Sequence, residues 1–171
     1  MITKKQIAKD ILKMLDNGLN IRSGIYVDFE DFTCNMSDAQ EKAFCNMDAK
    51  TALKFVPCEV CALGAITLAL VDRKNTLKMK DLDKVARNHN NRFLTQHFSK
   101  QELLDIELFF ECCDVVEAQE RNYEKFSNFL KDGDWSWESP ERRCKLIFKY
   151  IAKSGSFVPE EFIKWYEKEI S

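Results

Sequence analysis

A chain of 171 residues, 45% hydrophobic and 32% charged, is sized for one compact domain with a substantial core. A formal net charge of −2 and a pI near 5.8 argue against a general nucleic-acid binder while leaving room for a local basic face. Five Gly and three Pro, with no low-complexity run, exclude a flexible linker or a repeat array, so residues 1–171 read as a single α-helical domain.

In chain order, Thr3 is placed to cap a first helix with the apolar stripe Ile7, Ile11, Met14 and Leu15, stopping at Asn17-Gly18. The segment "NIRSGIYVDFEDFTCNM" has no helical period and alternates weakly at Ile25, Val27 and Phe29, which predicts a long loop near 18–36 with at most a short pairing. Ser37 and Gln40 make a capping box for a short helix bearing Ala43, Phe44 and Met47, and Asp48 caps another. Pro57 is expected to start a central helix, about 58–72, that is apolar from Val60 to Val71 except at Thr67 and hence buried on all sides. That run is shorter than the roughly 18 to 20 residues of a membrane span. Gly64 within it costs about 1 kcal/mol of helix propensity against alanine, which predicts close approach by a neighbouring helix. Residues 80–97 read as one or two helices with Leu82, Val85 and Ala86 on one face.

Ser99 and Glu102 form a second capping box, ahead of a helix burying Leu103, Ile106, Phe110 and Cys113. Val116, Tyr123, Phe126 and Leu130 carry the helical pattern onward. After the turn-rich "KDGDWSWESP", Ser139 and Pro140 supply cap and first position for a helix with Cys144, Ile147, Phe148 and Ile151 inward, ending at Ser154-Gly155. Pro159 opens the last helix, with Phe162, Ile163, Tyr166 and Ile170 inward. The sum is an all-α bundle of about seven or eight short helices around the buried central one.

Seven cysteines, an odd number, several of them in apolar runs and with no targeting segment ahead, predict reduced thiols in a cytoplasmic protein. Cys58 and Cys61 have the spacing of a metal or redox motif, and Cys34 and Cys45 could complete four ligands; a zinc- or thiol-dependent enzyme is therefore one alternative. Against it, Cys61 runs into an apolar helix, there is no second CxxC knuckle and no βαβ context. Structural thiols and no cofactor are expected. Cysteine–histidine catalysis would need His89 or His97 at a thiolate, and no motif surrounds either. The carboxylates Glu102, Asp105, Glu107, Glu111 and Asp114 crowd one helix and read as a solvated polar face.

Charge is segregated along the chain: residues 73–92 carry about seven basic against two acidic groups, and 102–124 about eight acidic against one basic. Arg142, Lys145, Lys149 and Lys153 recur at helical spacing as a basic stripe, with Arg143 near its edge. Trp135 and Trp137 precede the stripe in a polar turn, and Trp and Arg dominate binding hot spots. Trp135, Trp137, Arg142, Arg143, Lys145 and Lys149 are accordingly the preferred partner-binding residues. The acidic face Glu107, Glu111 and Asp114 is the alternative.

The pieces "CEVCALGA", "FSKQELLDIELFFE" and "RRCKLIFKYIAKSGSFVPEE", in this order, resemble a group of small uncharacterised proteins encoded by tailed bacteriophages. Those proteins carry a Cys-Ala-(Leu/Val/Ile)-Gly motif, a Leu-Ile-Glu helix and an Arg-Leu-Ile helix ending in Gly-x-Phe-x-Pro. The likeness runs in patches over residues 58–161. It implies a phage or prophage origin and the cytosol of an infected bacterium, and it implies no catalytic residues. Such a protein is expected to be non-enzymatic, binding and inhibiting or modulating a host protein such as a nucleic-acid-guided defence nuclease, in the manner of anti-CRISPR proteins. Direct nucleic-acid binding through the basic stripe is a further alternative, and no membrane association is expected.

Overall fold

Thr3, Asp48, Ser99 and Ser139 each accept a hydrogen bond from a backbone N–H of the helix they precede, and these caps fix where four helices begin. The computed structural model describes residues 2–74, 77–112, 126–132 and 134–170. The helices are α1 (Lys4–Asp16), α2 (Glu30–Thr33), α3 (Asp38–Cys45), α4 (Ala49–Ala52) and α5 (Ala62–Lys74), followed by α6 (Leu82–Ala86), α7 (Arg92–Thr95), α8 (Lys100–Glu111), α9 (Pro140–Ser154) and α10 (Pro159–Ile170). A 3₁₀ turn at Met79–Asp81 leads into α6, and a π turn at Asn128–Asp132 and a 3₁₀ turn at Asp134–Trp137 lead toward α9.

The chain is mostly helical but not purely all-α. Three two-residue strands, β1 (Asn20–Ile21), β2 (Val27–Asp28) and β3 (Glu59–Val60), form a small sheet in the order β1-β3-β2. β1 runs parallel to β3, with Ile21 opposite Val60, and β2 runs antiparallel to it, with Val27 opposite the same Val60. The short pairing allowed for in the 18–36 loop is present, because its backbone finds a partner to bond to, and that partner is the stretch expected to open the central helix. The helix therefore starts at Ala62 rather than near 58.

From Ala62 to Val71 every residue of α5 is buried, as expected of a helix surrounded on all sides. α1 lies along α9 on one side of it, with α6 and α8 on others, and the buried apolar residues form one contiguous cluster. Gly64 does serve a close approach, but the neighbour is a loop carbonyl and not a helix: a Cβ built there would lie 1.9 Å from the Tyr26 oxygen. A second dense region is aromatic, where Trp135 meets Tyr166 at 5.1 Å and Phe162 at 5.2 Å between ring centroids, with Phe109, Phe129 and Phe157 around them.

α8 ends sooner than its apolar pattern suggested. Cys112 takes φ 68°, a backbone conformation that cannot continue a helix. The expectations placed on Cys113, Asp114, Val116 and Tyr123 fall outside the described residues. Ile170, expected inward, is 41% exposed. Among the described residues no helix is long and apolar enough to cross a membrane.

Candidate functional site

The paired tryptophans divide. Trp135 is fully buried and its Nε1 donates to the Phe109 carbonyl at 2.8 Å, whereas Trp137, two residues on, is 88% exposed. Arg143 is also inside: Nε donates to the Phe110 carbonyl and Nη1 to the Glu138 carbonyl, both at 2.6 Å, and Nη2 to Ser23 Oγ at 3.3 Å. Expecting Trp135 and Arg143 on an open surface therefore fails, for a common reason. Phe109 and Phe110 lie in the last turn of α8, whose carbonyls have no partner within the helix. The Trp135 indole and the Arg143 guanidinium supply donors there, and the cation also suits the negative end of the helix dipole.

Arg142, Lys145 and Lys149 remain on the outer face of α9 at helical spacing. Arg142 stands 3.8 Å from Glu138, and Lys145 pairs with Asp16 of α1 at 2.9 Å. Trp137 precedes the α9 start, next in the chain to the Glu138 that Arg142 approaches, and the residues that fasten this turn are the buried Trp135 and Arg143.

The alternative acidic face is not the solvated surface its density suggested. Glu107 receives the Tyr26 hydroxyl and stands 2.8 Å from His89 Nε2, close enough to form an ion pair when that imidazole is protonated. Glu111 accepts the Gly24 N–H at 3.0 Å, and Arg87 lies over the Tyr26 ring at 5.1 Å. Burial first, and then the Glu107 carboxylate, push the Tyr26 phenol well above its ordinary value near 10. Asp105 is buried and receives Gln101 Nε2 at 2.9 Å. Glu102 pairs with Lys4 at 2.6 Å and caps its own helix through the Ser99 N–H at 2.8 Å; burial alone would raise its carboxyl, but these two partners hold it low. These carboxylates fasten the 22–28 segment and α1 to α8. Asp114 lies outside the described residues.

The candidate metal ligands do not converge. Cys34 is exposed, Cys45 and Cys58 are half-buried and Cys61 is buried, and no group of three or more His, Cys, Asp or Glu side chains is placed to hold a metal ion among the described residues. Burial pushes the Cys58 thiol up to about 11 and Cys61 up to about 12, so both are protonated near neutral pH.

His97 meets Lys74 instead of a thiol: the two nitrogens lie 2.8 Å apart, with Lys74 Nζ over the Phe93 ring at 5.6 Å. Burial, and then the Lys74 charge, hold His97 below its ordinary value of 6.5. The folded state therefore binds fewer protons than the unfolded one between the two pKa values, and stability rises with pH in that interval. The contribution is complete above about pH 6.5 and is lost as pH falls through and below it. Wild-type protein should accordingly lose more Tm than His97→Gln between pH 7 and about pH 5 by differential scanning fluorimetry. Parallel curves for the two proteins would contradict this placement of His97.

One surface feature escaped the sequence reading. Phe55 is 78% exposed, and with Phe32, Met36 and Met47 it borders an apolar groove of about 370 Å³ beside α2, α3 and α4. Its signal was present: Met36, Met47 and Phe55 are large apolar residues in the turns beside three short helices, where no helical stripe can carry them into the core. No protein-family model, no curated protein sequence and no solved structure matches this chain.

Proposed function

We propose that the protein is a non-enzymatic binder that docks Trp137 and the basic outer face of α9, Arg142, Lys145 and Lys149, on an acidic surface of a bacterial host protein, inhibiting or modulating it. The resemblance to phage proteins motivates the host setting, with a nucleic-acid-guided defence nuclease as the leading partner class. The observation that carries the reading is the pairing of an exposed tryptophan with a turn locked from below. Trp135 and Arg143 bond the end of α8, so the Trp137 backbone is ordered before any partner arrives. An anchor ordered in advance loses little entropy on binding, and aromatic side chains of this kind account for much hot-spot energy.

The test is capture from bacterial lysate followed by titration of the identified protein with purified components. Trp137→Ala should weaken binding by about tenfold or more, and Arg142→Glu with Lys149→Glu should do likewise. Phe55→Ser is the comparison: binding lost there and kept in Trp137→Ala would move the interface to the apolar groove. Two other classes have their own readouts. About one zinc per chain by elemental analysis, absent from Cys58→Ser, would favour a metalloenzyme. A nucleic-acid complex whose affinity falls steeply with salt would favour direct nucleic-acid binding.

A further inference from the structure

A separate cleft of about 530 Å³ opens between α1, the α4 region and α5, on residues that the docking surface does not use. Its size is that of a site for a small organic molecule. Its accessible apolar lining comes from the half-buried Met14 of α1, Leu19 after it, and Leu53 and Val56 after α4, backed by the buried Leu68 and Val71 of α5. The mouth carries Lys13, Lys50 and Lys54, none of which has an ion-pair partner among the described residues.

The negative charge within reach is already engaged or outnumbered. Asp10 is held by the Arg73 guanidinium through two hydrogen bonds, and Asp72 is the one other carboxylate of the lining. The carbonyls of the last turn of α1 receive the N–H groups of Asn17, Gly18 and Leu19, so they offer little further attraction to a cation. Cys58 also lines the cleft as a neutral thiol. The balance is a cleft with an apolar wall under three unpaired ammonium groups, and its chemical complement is a hydrocarbon body that ends in an anion.

We propose that this cleft binds an amphipathic anion, its hydrocarbon body on Met14, Leu53 and Val56 and its headgroup among Lys13, Lys50 and Lys54. A carboxylate and a phosphate share this chemistry, and the lysines, as flexible point charges, accept either.

The probes are decanoate, decyl phosphate, decanol and decyltrimethylammonium, each kept below its micelle concentration and titrated into the full chain by calorimetry and ¹H–¹⁵N chemical shifts. Saturable binding of one or both anions, about tenfold or more tighter than decanol and with shifts at residues 13–19 and 68–72, which do not border the groove around Phe55, supports the site. Preference between the two anions identifies the headgroup. Lys50→Glu with Lys54→Glu should weaken the anion about tenfold, and Val56→Trp should abolish binding by filling the cleft. Both variants must keep the wild-type fold by circular dichroism; should Val56→Trp not, the lysine pair alone decides. Three results overturn the proposal: no saturable binding of either anion, decanol or the cationic amphiphile binding as tightly, or shifts confined to the groove around Phe55. Trp137→Ala should leave this binding unchanged, so the fate of this site and that of the docking surface are read independently.

Discussion

Gly64→Ala is expected to destabilise the protein by about 3 kcal/mol or more, a fall in Tm of roughly 6 to 12 °C for a chain of this size. The added methyl carbon would sit 1.9 Å from the Tyr26 carbonyl oxygen and 2.8 Å from Val60 Cβ. Neither neighbour is the free end of a side chain. The Tyr26 carbonyl receives the Cys61 N–H at 3.3 Å, and Val60 is paired on both sides within the sheet. Relief of the clash must therefore pull β2 away from β3 or lift α5 out of the core. Alanine would gain about 1 kcal/mol of helix propensity over glycine, and the steric term outweighs it. Gly24→Ala is the natural comparison: nothing lies within 4 Å of its Cβ position, so only its φ of 81° opposes the change, at about 1 to 2 kcal/mol. Urea denaturation of both variants should rank Gly64→Ala as clearly the worse. A Gly64→Ala protein within a degree or two of wild type would mean that the Tyr26 carbonyl is not seated on α5.

The same locality shows where sequence reasoning reached its end. The caps at Thr3, Ser99 and Ser139 and the stripe Cys144, Ile147, Phe148 and Ile151 are local signals, and each marks a helix that the structure contains. The sheet was hidden because a two-residue strand has no period to detect, and because Glu59 and Val60 sit at the edge of an apolar run that belongs to a helix. Burial on all sides looks alike in a central strand and a central helix. The carboxylates of α8 misled for another reason. Their density suggested solvent, but Glu102, Glu107 and Glu111 take partners in Lys4, Tyr26 and Gly24, far away along the chain. No spacing rule within α8 contains that information. On the candidate docking surface, Trp137, Arg142 and Lys149 were legible as exposed groups, while Trp135 and Arg143 have the same residue types and flanking sequence as groups expected outside. The deciding fact is tertiary: α8 ends at Cys112 with carbonyls that need donors.

Trp135 and Trp137 should then respond oppositely to mutation although they are separated by one serine. Arg143→Met is expected to cost about 2 to 4 kcal/mol, since it leaves the Phe110 and Glu138 carbonyls without their donor in a buried setting. Trp135→Phe keeps most of the ring contacts with Phe162 and Tyr166 but removes the bond to the Phe109 carbonyl, at about 1 to 3 kcal/mol. Trp137→Ala should stay within about 0.5 kcal/mol of wild type, as is usual for an exposed site. Arg143→Lys separates two explanations of the arginine effect. A lysine retains the charge near the end of α8 but cannot fork to two carbonyls, so it should recover only part of the loss if the hydrogen bonds dominate and nearly all of it if the helix dipole does. Denaturant midpoints of the four variants, measured beside partner binding, keep folding and docking apart. Loss of binding with unchanged stability is expected at Trp137 alone among these positions. Equal destabilisation at Trp135 and Trp137 would remove the distinction on which the docking surface rests, because an anchor free to meet a partner cannot also be holding up the core.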